Sequence, residues 1–163
     1  MMSFIGMLVN WTDRVLKAVI SAMVGVMLLA IVLQVFCRYV LNSALSWPEE
    51  LSRYLMIWSG LLAAIYAYHE GSHVGVTFLL ERLNPTVMKV IVVISHILMG
   101  IFLCVVTWQG TAILGKFQDL KSSALQIPMV VVYAAVPVSS FLMFLVCLKL
   151  IYVTLLDHER REE

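Results

Sequence analysis

The string that most suggests chemistry is His69-Glu70-Gly71-Ser72-His73, which fits the pattern H-E-x-x-H. On one helix that spacing sets two imidazoles on the same face to hold zinc, with the glutamate beside them as general base. Here Gly71 and Ser72 fall where an apolar run ends, so the two histidines need not share a face. Neither Glu81 nor Asp157 has a recognisable motif around it to supply a third ligand. A helix-end loop is the plainer reading. His69 and His96 raise a second chemistry, haem held between histidines of facing helices. His96 lies nine residues past Val87, about 13 Å into its helix at 1.5 Å per residue, deeper than His69 at the end of its run, so a buried histidine bonded to a neighbouring helix or a partner subunit fits better. Cys37, Cys104 and Cys147 sit inside apolar runs without C-x-x-C spacing and read as small buried residues. No cofactor and no metal is expected.

A second cluster is electrostatic: Arg38, Glu49, Glu50 and Arg53. Glu49 precedes Arg53 by four residues, the favourable order for a helical ion pair, and both glutamates stand where a helix N-terminus would be positive. Arg38 ends one apolar run and the glutamates begin the next. Such a network at the lipid boundary could fix two helices together or grip a partner. Trp47, Trp58 and Trp108 read either as interfacial anchors or as lipid-facing bulk.

The elements that must position these residues are membrane spans. Of 163 residues, 62% are apolar and 13% charged, about half the roughly 25% charged content of a soluble domain. With a mean hydropathy of +0.97, there is too little polar surface to cover an apolar core on every side. A net charge of +1 argues against a nucleic-acid partner, which needs a basic face to displace counterions from phosphates.

Ala18 to Cys37 is free of charge and long enough, at 1.5 Å per residue, for a hydrocarbon core of about 30 Å. It begins only after Lys17 and exceeds a signal-peptide core, so it reads as a span and not as a cleaved leader. The run Tyr54 to Tyr68 is short alone, but Ser46-Trp47-Pro48-Glu49 has capping-box spacing with proline in the first turn, which starts its helix near Trp47. The third run is Val90 to Gly115, entered through Asn84-Pro85, and the fourth is Ser122 to Cys147. Pro137 should kink the fourth unless Ser139, Ser140 or a neighbouring helix satisfies the freed carbonyl.

The expected fold is all-α: a single transmembrane domain over 1–163, an integral membrane bundle of four transmembrane helices at about 15–39, 47–69, 86–115 and 125–152. Four spans put both termini on one side. Seven lysines and arginines fall on that side and four (Arg38, Arg53, Lys116 and Lys121) on the other, so the positive-inside rule places both termini in the cytoplasm. Met1–Trp11 and Val74–Leu83 are candidate short interfacial helices, and the mixed-charge tail from Asp157 is expected in solvent. No span carries an Asp or Glu in its middle, the usual mark of a proton or cation path. Gln34, His96 and Gln109, with the small pairs Ser21/Gly25 and Gly60/Ala64, suit contacts between helices.

Phe36-Cys37-Arg38-Tyr39, then Ser46-Trp47-Pro48-Glu49-Glu50-Leu51-Ser52-Arg53-Tyr54, then Gly60 and Gly71-Ser72-His73-Val74-Gly75-Val76 together resemble the small membrane subunit of tripartite ATP-independent periplasmic (TRAP) transporters. The resemblance is specific over the first half of the chain. It implies a bacterial inner-membrane location, cytoplasmic termini, and two protein partners besides membrane lipids. One is a large membrane subunit moving substrate by a sodium-driven elevator motion; the other is a periplasmic binding protein delivering a carboxylate. It also implies that the subunit is no enzyme and acts as a scaffold, and that His73 belongs to a loop motif and not to a zinc site. The spacing around Trp-Pro-Glu-Glu is compatible with the sialic-acid branch. The partner-interface or structural candidates are therefore Arg38, Trp47, Glu49, Glu50, Arg53 and His73.

Overall fold

The structure, a computed structural model, describes the backbone of residues 2–69 and 85–162 and the side chains of 14–69, 87–88 and 90–153. Among these residues the elements are helical: α1 (Met2–Tyr39), α2 (Trp47–His69), α3 (Pro85–Leu114) with a 3-10 turn at Gly115–Phe117, the short α4 (Met129–Tyr133) and α5 (Ala135–Glu162). Val74–Leu83 and His73 lie outside the described residues. The backbone of α1 runs unbroken from Met2, so the first residues continue the first span's helix and do not form a separate one. The α5 backbone likewise stays helical through the charged tail.

Among the described residues, three helical stretches are long and apolar enough to cross a membrane: Arg14–Tyr39, Val90–Phe117 and Met129–Val153. The chain is thus a membrane protein by its own helices. The α2 segment is less apolar because it carries Glu49, Glu50, Ser52, Arg53 and Ser59 within its length. Its position explains why that is tolerated. The α1 helix packs on α2, α2 on α5, and α5 on α3, while α1 makes no comparable contact with α3 or α5. The long helices form a row, α1-α2-α5-α3, and not a closed ring. In that order α2 and α5 are inner members, shielded on two sides, whereas only 6% of the α1 span window and 11% of the α3 window are buried, against 28% for the last span.

Local chemistry sets the ends of these elements. Asn42 takes a positive φ of 49° after α1, a conformation asparagine tolerates better than most residues, and Ser43 N–H donates to the Cys37 carbonyl at 3.0 Å. At the start of α2, Glu49 turns forward to Arg53 and not back to Ser46, while Pro48 is fully buried. Residues 122–128, where the fourth span was expected to begin, form a tight turn. Lys121 bridges Pro128, Ser122 N–H donates to the Ile127 carbonyl at 2.9 Å, and Met129 N–H donates to the Leu120 carbonyl at 2.8 Å. The helix therefore begins only at Met129. It breaks at Ala134, one turn before Pro137, where the missing proline N–H would have bonded the Tyr133 carbonyl. Ser139 does not repair the break: its Oγ is buried without a hydrogen-bond partner among the described residues.

Close helix approach is carried by a glycine other than those expected. A Cβ on Gly25 or Gly60 would meet nothing within 4 Å, whereas one on Gly110 would meet the Pro137 ring at 3.0, 3.2 and 3.4 Å. The small pairs Ser21/Gly25 and Gly60/Ala64 thus do not mark tight seams within the chain. Gly110 lets α3 sit directly on the rigid proline of α5.

Candidate functional site

The packing gathers charged residues at the two ends of the row, with α1 against α2 and α3 against α5 antiparallel and α2 and α5 side by side in the same direction. At the end formed by the α1–α2 connection and the 118–128 turn, Glu50 is the central group. Its Oε2 accepts the backbone N–H of both Ala124 and Leu125 at 2.9 Å, and its Oε1 accepts the Tyr54 hydroxyl. Hydrogen bonds aimed at both oxygens favour the ionised carboxylate over the acid. Two successive N–H groups converging on one oxygen make a small anion cradle of the kind that turns provide. The turn that supplies them is held in shape from within. Ser122 Oγ accepts from Ile127 N–H at 3.1 Å, Gln126 Nε2 donates to the Ser123 carbonyl at 3.3 Å, and Gln126 adopts a positive φ of 56°. Tyr54 also approaches Met129 Sδ at 3.7 Å, and Phe117 stacks on Tyr133 with ring centroids 4.0 Å apart. The carboxylate thereby fastens the start of α2 to the segment that joins α3 to α5.

The other expected residues of this end do different work. Arg53 donates to Glu49 Oε1 at 2.9 Å, with both side chains well exposed, so their pair adds little more than a surface contact. Arg38 is exposed at the α1 terminus, its guanidinium 5.9 Å from the centre of the Tyr39 ring; among the described residues it meets no carboxylate in an ion pair. Trp47, the first residue of α2, is exposed. The structure thus separates Glu49 and Glu50, which the sequence treats alike: one faces out to Arg53, the other lies under the turn.

At the opposite end, Lys17 of α1 lies over the Tyr66 ring of α2 at 4.7 Å, and Lys149 of α5 donates to His69 Nε2 at 2.9 Å. His96 Nδ1 donates to the Val92 carbonyl at 2.7 Å, and its ring is tilted against Tyr68 at 5.9 Å. Cys147, fully buried, donates its thiol to the His96 carbonyl at 3.0 Å. Tyr68, Leu103 and Cys147 form the buried core that joins α2, α3 and α5. His69 and His96 are therefore both engaged in holding helices. Among the described residues no group of three His, Cys, Asp or Glu gathers as a metal site; Glu70 and His73 of the H-E-x-x-H string lie outside them.

Sequence reading missed Tyr54, the Ala124–Leu125 cradle, Gly110 and Cys147 as a helix-joining thiol. Only Tyr54 left a local signal, standing four residues after Glu50 on the same helical face.

Comparison with known proteins bears on this arrangement. The family described as tripartite ATP-independent periplasmic transporters, DctQ component, matches residues 8–156, reaching well past the motifs of the first half. The chain is 34% identical over 92 residues to a TRAP transporter small permease protein of Haemophilus influenzae, an overlap of 56% of this chain and 57% of that protein. It is 28% identical over 101 residues to the C4-dicarboxylate TRAP transporter small permease protein DctQ of Rhodobacter capsulatus, covering 61% of this chain and 44% of that one. These overlaps span about half the length of the relatives.

Proposed function

This chain belongs to the DctQ component family of tripartite ATP-independent periplasmic transporters, and from that premise we propose that it is the static scaffold of such a transporter. In this reading one lateral face of the chain packs permanently on the static part of a large elevator-type membrane subunit, whose transport domain moves against that fixed wall during sodium-driven uptake of an organic acid. A periplasmic binding protein delivers that acid, a carboxylate, with sialic acid the particular substrate suggested by the Trp-Pro-Glu-Glu spacing. The subunit lies in the bacterial inner membrane with α2 as a fourth crossing and both termini in the cytoplasm. The 38–53 segment and the 118–128 turn then share the periplasmic end, and catalysis is no part of its task.

The observation that carries the reading is the row of helices tied at both ends. A wall one helix thick offers two broad apolar faces, and its edge helices keep theirs uncovered: Leu29 is 71% exposed on α1 and Trp108 is 75% exposed on α3. Apolar surface of that extent fits lipid or a larger membrane subunit packed alongside. The Glu50 cradle at one end, the Lys149–His69 contact at the other and the Gly110–Pro137 seam between them oppose shear within the row. A wall that resists shear is what a moving transport domain needs to push against.

Coexpression with a large subunit of the family tests the proposal. The two are expected to copurify at a fixed ratio, and proteoliposomes should take up the acid only when both subunits, the binding protein and an inward sodium gradient are present. Full uptake by the large subunit alone would overturn the scaffold role.

A further inference from the structure

We propose that a cavity between α1 and α2 binds the headgroup of an amine-bearing zwitterionic phospholipid, its phosphate against Arg38 and its ammonium against Glu49. The cavity has a volume of about 200 Å³ and is lined by Gln34, Arg38, Ala44, Leu45, Ser46 and Glu49. It therefore contains one fixed cation and one fixed anion. Arg38 makes no ion pair with a carboxylate among the described residues. Arg53 occupies Oε1 of Glu49, and Oε2 accepts no hydrogen bond there. Gln34 and Ser46 add neutral polar groups to the lining.

A simple anion in this cavity would face the Glu49 carboxylate, and a simple cation would face Arg38. A ligand carrying both charges a few bonds apart satisfies both at once. Position selects the lipid form of that ligand. Arg38 directly follows the uncharged run Ala18–Cys37, so the cavity opens at the depth where hydrocarbon gives way to headgroups. Val35 and Phe36 of α1, and Val40 and Leu41 just after it, are exposed and offer apolar surface for acyl chains. A guanidinium suits phosphate because its planar donors can engage two oxygens together. A primary ammonium suits Glu49 because it donates hydrogen bonds, which a quaternary amine cannot.

The inference concerns the isolated subunit and does not rest on the transporter reading. The test is native mass spectrometry of the full-length, delipidated chain in detergent, titrated separately with dioleoyl phosphatidylethanolamine, phosphatidylglycerol and phosphatidylcholine, and with soluble glycerophosphoethanolamine. One phosphatidylethanolamine is expected to be retained about ten-fold better than either other lipid, as loss of one charge-assisted contact implies, and the soluble headgroup should bind far more weakly for want of acyl chains. Arg38→Gln should cut that retention by about ten-fold. Glu49→Gln should abolish the preference over phosphatidylcholine, while Lys116→Gln, at the same end but outside the cavity, should change nothing. Equal retention of all three lipids by the native chain, or equal effects of Arg38→Gln and Lys116→Gln, would overturn the proposal. Circular dichroism of each variant checks its helices; should Arg38→Gln fail to fold, Glu49→Gln decides, since the Glu49 side chain is 62% exposed and its loss disturbs no core.

Discussion

Glu50 and Glu49 are adjacent acids with opposite standing. Glu50 has the two N–H groups of the 118–128 turn and the Tyr54 hydroxyl as donors, whereas Glu49 has an exposed arginine. Removing a carboxylate that leaves donors without an acceptor costs more than removing half of a surface pair. Glu50→Gln should lower the thermal unfolding midpoint of the detergent-purified protein by several degrees. It presents amide hydrogens or a single neutral oxygen to two backbone donors that now hold a charge. Tyr54→Phe should lower the midpoint less, and Glu49→Gln should stay within about 0.5 kcal/mol of the parent; a larger effect from Glu49→Gln than from Glu50→Gln would refute the assignment. The sequence marked both glutamates and supplied the Glu49–Arg53 spacing, because that pair is a matter of helical period alone. It was silent on the Glu50 cradle, whose donors lie 74 and 75 residues away and converge only once α3 and α5 are folded back.

Among the elements, the closest approach at a described glycine is Gly110 on Pro137. The proline ring is rigid, so an added methyl cannot be relieved by a rotamer change and must push the helices apart. Gly110→Ala is expected to destabilise the protein by about 1–3 kcal/mol, the usual range for overpacking, while Gly60→Ala, with open space around it, should be neutral or slightly stabilising through helix propensity. Chemical denaturation of both variants checks the contrast, and equal midpoints would contradict the seam. Start signals such as Ser46-Trp47-Pro48-Glu49 are legible in sequence because they act within a few residues. Which glycine faces a neighbour depends on the order in which helices pack, and no local spacing encodes that order. Pro137 shows the intermediate case. The break it causes is readable from the missing N–H, but it appears a turn earlier, at Ala134, because the bond lost belongs to the preceding turn's carbonyl.

Across the whole molecule, charge sits at the ends, apolar surface along the sides, and polar contacts tie the helices at each end. Composition and periodicity made the membrane environment legible. They did not reveal that the helices form a row, since each apolar run reads the same whether its faces meet another helix, lipid or a partner subunit. The row gives the scaffold proposal its physical content: a wall fixed to the static part of its neighbour while the transport domain moves. The most direct measurement joins a photo-cross-linking residue at Leu29 of α1, or at Leu98 of α3, covalently to the large subunit and then follows sodium-driven uptake in proteoliposomes. A fixed scaffold predicts that the position which cross-links efficiently leaves uptake intact, because no relative motion is needed at that contact. Loss of uptake in the cross-linked complex, with uptake normal before illumination, would show that the two subunits move relative to each other at this contact and would contradict the account.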